Sequence, residues 1–516
     1  MLVLVLSDCN RTRPKEPKLI VIIAVDGFRA DLLDRYDQVF TGGFRRLKDE
    51  GAIFTNAFQD HGMTVTAAGH TSIGTGTFPS HHGIIANRWM EKSADGWTEH
   101  YAVEDQEYQI VGFPDETGMS PKNIMVTGIA DWLTSKHPDS RVVSISGKDR
   151  AAITMAAKAK GHIYWFDDDF VGFSTSTFYR SQNPDWVNAF NKRVISDYYS
   201  DTWSRTVASE FLHLARPDSS PYEADGKAIA FPHNITGMMP GEDHQDPEVK
   251  ANWMEEIPVV DQLVFDFAEK AVKNLALGQQ VTPDMLAISL SATDRIAHRF
   301  GPFSLEVLDN LVLLDKQLGS FLDLLDREVG EGNYVLALSA DHGFNEAPEY
   351  RQAHNSVGKR IPESEAGRLL GQIETLDFEN NYTAALNEAK DMLLGSGAVE
   401  RVFTEEELAA EPGNDSLHIY YQNSYYPGRI ASELAPIGIA AIEVKEGYEI
   451  QDFGSSHGTY YHYDRQVPLI FYGGNILPQS TGKRARAIDI APTLANMLKL
   501  TIPGSVDGKA LKLEVK

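Results

Sequence analysis

Cysteine is all but absent: of 516 residues only Cys9 carries a thiol. That excludes an intrachain disulfide and any cysteine-based metal site in the folded body. Basic residues are scarce as well, with 47 lysines and arginines against 73 aspartates and glutamates, which leaves a formal net charge of -26. A chain this acidic repels a phosphate backbone, so nucleic acid is not expected among its partners. An anionic substrate would have to be drawn in by a locally positive pocket. Long apolar runs are missing too, since no stretch approaches the roughly 18 residues that span a bilayer. With 42% hydrophobic residues the chain still has ample material for a core, and its composition predicts a soluble globular protein.

What is present is a set of apolar, β-branched runs that each deliver an acid. They are LIVIIAVDG (19–27), MLAISLSATDRIAH (285–298) and YVLALSADHG (334–343). Runs of this kind read as parallel strands buried on both faces, and open α/β sheets place their chemistry where such strands end. Helical spacing or small-residue turns follow several strands: helices are expected at 39–51, 66–76, 123–138, 149–161, 261–277, 304–328 and 487–500, and further strands at 51–60, 141–147 and 466–474. A short polar turn is expected after the last strand. The predicted fold class is therefore α/β, a mostly parallel central sheet sandwiched by helices, with cap insertions. Residues 1–18 read as the remnant of an export segment and a linker, and 19–516 as a single catalytic domain. Its insertions fall at about 162–260, rich in aromatics, and at about 345–450.

Six metal-binding side chains stand where those runs or a glycine-rich corner end: Asp26, Asp294, His298, Asp341, His342 and His457. Asp294 and His298 are four apart, so one helical turn puts both on one face, where they can chelate one ion. Asp341 and His342 are adjacent at a strand end, and a sharp turn can bring both to a second ion. Imidazole nitrogen with carboxylate oxygen suits zinc, with manganese, cobalt or iron admissible on ligand chemistry alone. Six such groups imply a bimetallic site for hydrolysis or group transfer.

In order, strand-D-G, D-x-x-x-H, strand-D-H-G and a late G-x-x-H-G resemble the alkaline phosphatase superfamily. The likeness is greatest to the bacterial phosphate-irrepressible alkaline phosphatases with a threonine nucleophile, and it extends from Asp26 to VDGKAL (506–511). The resemblance implies two zinc ions per chain, one held by Asp294, His298 and His457, the other by Asp26, Asp341, His342 and the nucleophile. Residue chemistry alone leaves Thr64, Thr66, Thr71, Ser72 and Thr75 open as that nucleophile; the family pattern T-x-T-A-A-G-H assigns Thr66. By the same resemblance Lys148 and Arg150, in SISGKDRAAI, form a K-x-R pair contacting the non-bridging phosphate oxygens. Asn87 matches an asparagine that donates to another of those oxygens. Alternation along an extended corner would point Lys148 and Arg150 the same way.

The expected activity is hydrolysis of small-molecule phosphate monoesters over a broad range, through a phosphothreonine. A monoester dianion offers three non-bridging oxygens to Asn87, Lys148 and Arg150, whereas a diester leaves one of these donors unpaired. The nearest alternative is a nucleotide pyrophosphatase or phosphodiesterase with the same ligands and a threonine nucleophile. A sulfatase lacks its C/S-x-P-x-R context here, a phosphoglycerate mutase would use serine, and a catalytically dead phosphate-ester sensor would not need the nucleophile. MLVLVL followed by LSDC has the flavour of an export segment with a lipoprotein cleavage box, although Asp8 departs from the small residue such a box carries. The expectation is an exported, periplasmic monomer; Cys9 is the position at which a lipid anchor would attach, and an untethered N-terminal remnant is the alternative reading.

Overall fold

The computed structural model describes residues 16–94 and 96–516, so the lipid anchor expected at Cys9 lies outside the described residues. The three acid-bearing runs form β1 (Leu19–Val25), β6 (Asp284–Leu290) and β7 (Tyr334–Ser339). Between them in sequence come β2 (Ala52–Phe58), β3 (Val142–Ser146), β4 (His162–Asp167) and β5 (Gly172–Ser174), and after them β8 (Ile470–Gly473) and β9 (Gln479–Arg486). The nine form one sheet in the order β9-β2-β8-β7-β1-β6-β3-β4-β5. Only β8 and β5 run against the rest. Strand β1 sits at the centre, in parallel register with β6 on one side (Val25↔Leu290) and β7 on the other (Ala24↔Ser339). The residues just past three neighbouring strands therefore emerge together at one edge of the sheet.

Alternation along β1 splits the core in two. Leu19, Val21, Ile23 and Val25 face one cluster, and Ile20, Ile22 and Ala24 face the other. Each fully buried branched side chain contributes roughly 1.5–3 kcal/mol by leaving water. The helices packed on the first face include Gly43–Glu50, Val259–Asn274, Ala292–Phe300 and Leu305–Leu325. The second face carries Thr66–Thr75, Ile129–Lys136, Asp149–Met155 and Ile490–Met497. The helix holding Asp294 and His298 and the helix beginning at Thr66 thus lie on opposite layers.

Three expectations need correction. The first insertion does not start at about 162, because β4 and β5 extend the central sheet. Their aromatics alternate: Tyr164, Phe166 and Phe173 enter one core while Trp165 enters the other, the strand-forming use of large flat side chains. The polar turn expected after residue 474 contains β9, an edge strand whose exposed side tolerates QSTGKRAR. An additional excursion at 88–119 carries two antiparallel pairings, Arg88–Ser93 with Gly96–Tyr101 and Glu104–Ile110 with Phe113–Met119. The stretch 345–450 has its own small sheets and two satellite cores, one around Tyr421 and one around Leu393.

Candidate metal centre

Asp26 follows β1 directly, and its N–H donates to Leu290 O at 2.9 Å, which continues the ladder one residue past the strand. Gly27 then turns the chain at φ 72°; a Cβ there would meet Asp294 Cα at 3.0 Å, so a side chain would push the two strand ends apart. Asp294 and His298 stand one turn apart on Ala292–Phe300, with His298 Nε2 3.4 Å from Asp294 Oδ1. His457 arrives from the glycine-flanked loop before β8 and places Nε2 3.5 Å from the same Oδ1. At the end of β7, Asp341 Oδ2 lies 3.3 Å from His342 Nε2, which is 3.4 Å from Asp26 Oδ1. The six residues form two groups of three, Asp294–His298–His457 and Asp26–Asp341–His342, with ligand atoms in each within 4.8 Å of one another. The rings of His342 and His457 stack at 3.5 Å, so the groups adjoin.

The donor chemistry fits divalent cations. Asp26 Oδ1, Asp294 Oδ1 and His342 Nε2 are buried and have no hydrogen-bond partner. Buried polar atoms are rarely left so. The far nitrogens are engaged instead: His298 Nδ1 with Ser455 O at 3.2 Å, His342 Nδ1 with Gly343 O at 2.9 Å, and His457 Nδ1 with Thr64 O at 2.7 Å. Each carbonyl holds the proton on Nδ1 and turns the Nε2 lone pair inward, the orientation a metal-ligating histidine needs. Asp26, Asp341 and His342 are fully enclosed, while the His298 side chain is 41% exposed, so the site opens on the Asp294 side.

Lys148 lies across the two groups, its Nζ donating to Asp26 Oδ2 at 2.7 Å and to Asp294 Oδ2 at 2.6 Å. Burial would raise the Asp26 carboxyl, but the Lys148 ammonium and the facing His342 hold it well below the usual carboxylate range. Burial pushes Asp341 up, and the neighbouring Asp26 adds to it. Burial would lower His342, yet Asp341 and Asp26 raise it to about 10. Burial and the charge of His342 push His457 well down. Protons and one ammonium here balance negative charge that a pair of cations would balance when bound.

Thr66 is the first residue of the buried helix Thr66–Thr75. Four of the five hydroxyls in this segment are engaged: Thr64 with Thr459 O, Thr71 with Ala67 O, Ser72 with His82 Nε2 and Thr75 with Thr71 O. The Thr66 hydroxyl has no such bond among the described residues. Asn87 Oδ1 accepts from the Ala67 N–H at 2.9 Å, which ties it to the residue after Thr66 and leaves its NH2 free to donate. Lys148 and Arg150 do not point the same way: Lys148 is extended and aims at Asp26 and Asp294, whereas Arg150 has entered the helix Asp149–Met155 and its Nη1 donates to Tyr101 Oη at 3.3 Å. The helix begins between them, so strand alternation no longer applies.

Sequence reasoning missed His70 and Tyr101. His70 is fully buried, its Nδ1 2.8 Å from Thr66 O and 3.2 Å from Asp341 Oδ2. Its spacing of four from Thr66 was the available signal, the same one that marks Asp294 and His298.

Known proteins resemble the chain over most of its length. The model of the family described as type I phosphodiesterase / nucleotide pyrophosphatase matches residues 20–461. Alkaline phosphatase PhoV of Synechococcus elongatus is 32% identical, covering 96% of this chain and 92% of its own length. Alkaline phosphatase PafA of Elizabethkingia meningoseptica is 30% identical, covering 96% and 94%. Crystal structures of PafA, wild type and a fourfold variant, superpose with TM-scores of 0.84 and 0.85 at 29% identity, over 96% of this chain and 98% of theirs. The variant replaces a threonine, an asparagine 21 positions later, and a lysine and an arginine two apart.

Proposed function

The chain belongs to the type I phosphodiesterase / nucleotide pyrophosphatase family and is an alkaline phosphatase, and we propose that it hydrolyses phosphate monoesters with two zinc ions and a covalent phosphothreonine at Thr66. The observation that carries the reading is the pair of three-ligand groups with unpartnered inward donors, set beside the one free hydroxyl of a helix N-terminus. The four residues altered in the PafA variant match Thr66, Asn87, Lys148 and Arg150 in type and order, with the same spacing of 21 between the first two and of two between the last two.

Asp294, His298 and His457 would hold one cation, and Asp26, Asp341 and His342 with Thr66 the other. When bound, the two cations would lower the pKa of the threonine hydroxyl and stabilise the departing ester oxygen. The chain's own residues do the rest. The N–H groups at the start of Thr66–Thr75 favour both an alkoxide and an incoming anion. The Thr66 oxygen, its proton released to water, attacks phosphorus in line, the ester P–O bond breaks and the alcohol leaves, taking a proton from water. Water then displaces Thr66 from the phosphothreonine, which releases phosphate and restores the hydroxyl. Two inversions give net retention at phosphorus. Asn87 and Arg150 donate to non-bridging oxygens, and the Lys148 ammonium supplies positive charge where the two groups join. Those three donors match the three oxygens of a monoester dianion. In an otherwise acidic protein they form the positive pocket that such a substrate needs.

The test is metal analysis of the purified protein beside kcat/KM on p-nitrophenyl phosphate and bis-p-nitrophenyl phosphate. We expect two zinc ions per chain and a preference for the monoester; preference for the diester would assign the chain to the phosphodiesterase branch. Thr66→Ala is expected to retain the metal and to lose the acid-stable phosphoprotein trapped with labelled substrate; turnover at the wild-type rate would mean another hydroxyl attacks. The same proposal places the enzyme in the periplasm, which cell fractionation checks.

A further inference from the structure

The two donors proposed to reach the phosphate from outside the metal groups, Asn87 and Arg150, are joined by one hairpin. Its strands, Arg88–Ser93 and Gly96–Tyr101, pair with Arg88 opposite Tyr101. Asn87 stands immediately before the first strand, and its carbonyl accepts from the Ala102 N–H at 2.9 Å, closing the base of the hairpin. Tyr101 ends the second strand. From there it reaches Asp149 and Arg150, neighbours of Lys148: its Oη donates to Asp149 Oδ1 at 2.6 Å and accepts from Arg150 Nη1 at 3.3 Å.

A phenol has one proton. With that proton committed to Asp149, the lone pairs face the guanidinium, so arginine, phenol and carboxylate form a directed chain in which each bond strengthens the next. Arg150 Nη1 lies 3.9 Å from Asp149 Oδ1, an ion pair with no direct hydrogen bond, and the Tyr101 hydroxyl bridges the two. Without the hydroxyl the guanidinium loses this bridge and is free to shorten its ion pair with Asp149, which would draw it away from the substrate. The ring is held in turn by Arg88, whose guanidinium lies 4.8 Å over its centroid. Burial, with Asp149 beside it, pushes the phenol well up from its ordinary value, so it stays a hydrogen-bond donor in alkaline solution.

We infer that Tyr101 is the positioning residue for Arg150, and that the hairpin 88–101 sets the separation of Arg150 from Asn87 to suit a monoester dianion. This rests on the monoester reading above. Tyr101 belongs to no ligand group, and its hydroxyl contacts Asp149 and Arg150, so its effect on turnover would pass through the arginine. A diester has one non-bridging oxygen fewer to offer, and it gains less from a well-aimed arginine.

The experiment is a double-mutant cycle of Tyr101→Phe with Arg150→Ala, each protein assayed for kcat/KM on p-nitrophenyl phosphate and on bis-p-nitrophenyl phosphate. Tyr101→Phe is expected to lower monoester kcat/KM about tenfold, the scale of a misplaced contact, and diester kcat/KM by no more than about twofold. In the Arg150→Ala background, Tyr101→Phe should have no further effect on the monoester. Equal losses on both substrates, or losses that multiply in the double variant, would overturn the role of Tyr101 while leaving the monoester pocket intact. If Arg150→Ala itself spares the monoester, the pocket reading falls and the role of Tyr101 falls with it. Phenylalanine keeps the ring under Arg88, so circular dichroism and metal content should match wild type; a loss of either together with equal losses on both substrates also counts against positioning.

Discussion

His70 stands one helical turn after Thr66, and its imidazole is enclosed by groups on which the proposed reaction depends. Nδ1 faces two acceptors, Thr66 O at 2.8 Å and Asp341 Oδ2 at 3.2 Å, so Nδ1 carries the proton, while Nε2 pairs with Ser289 Oγ at 2.8 Å. One side chain thereby steadies both the helix turn that presents Thr66 and the carboxylate proposed to share a cation with it. Removing such a partner typically weakens metal binding by about 10–100-fold. His70→Ala is accordingly expected to lower the apparent zinc affinity by that factor, measured by competition with a chelator. His70→Asn, whose amide can donate from near the Nδ1 position, should recover part of it. Equal zinc affinity in His70→Ala and wild type would show that Asp341 holds its orientation unaided. The role of His70 could not be read along the chain, because Asp341 and Ser289 lie more than 200 residues away.

The helix Ala292–Phe300 carries Asp294 and His298, and it begins without a cap of its own: Ser291 makes no side-chain cap bond. Asp261 supplies one from the neighbouring helix Val259–Asn274, its Oδ1 accepting from the N–H of Ser291 at 2.7 Å and of Ala292 at 3.1 Å. The first turn, where Asp294 sits, is thus held in place by another element. Asp261→Ala would remove the cap and leave two buried donors unsatisfied, at a cost of about 1–3 kcal/mol. Asp261→Asn keeps an oxygen acceptor there and should cost less. Thermal denaturation of the two variants decides it; a Tm for Asp261→Ala as high as that of Asp261→Asn would mean the cap is dispensable. The wider pattern follows from what each element buries. Strands β1, β6 and β7 were legible as continuous apolar runs because both their faces are covered, and each ligand could be found by reading to the end of a run. Strand β9 was not, since it lies at an edge and needs no apolar face. Strands β4 and β5 were hidden by their aromatics, which suggested a cap, and the hairpin 88–101 carries too weak an alternation to be recognised. Arg150 was legible by type but not by direction, because the helix starts one residue before it.

The first large insertion is fastened to the body by buried charge. Asp309, on Leu305–Leu325, accepts from Trp203 Nε1 at 3.0 Å and from the Val207 N–H at 2.7 Å. Arg216 pairs with Glu223 and, at 2.6 Å, with Glu346, four residues past His342. Glu306 meets His233 Nε2 at 2.8 Å, with both side chains enclosed. Burial, with Asp218 adding to it and Arg216 opposing, pushes Glu306 up to about 8, while burial lowers His233 to about 4. Near neutral pH the pair is therefore a protonated carboxyl donating to a neutral imidazole. A carboxyl whose pKa is higher folded than unfolded contributes stability that is whole below its unfolded value, about 4.5, and is lost as pH rises through 8. The depressed His233 offsets this loss below its unfolded value of 6.5, where its own contribution rises with pH, so the net loss falls between 6.5 and about 8. The joint between insertion and body should thus weaken as the solution turns alkaline. Glu306→Gln keeps a hydrogen-bond donor and cannot ionise, so the fall in Tm between pH 6 and pH 9 should be smaller by about 2 °C than in wild type. Limited proteolysis within 175–258 should rise from pH 6 to pH 9 in wild type and stay level in Glu306→Gln. Parallel Tm profiles with equal cleavage in the two proteins would place the pH sensitivity elsewhere in the interface.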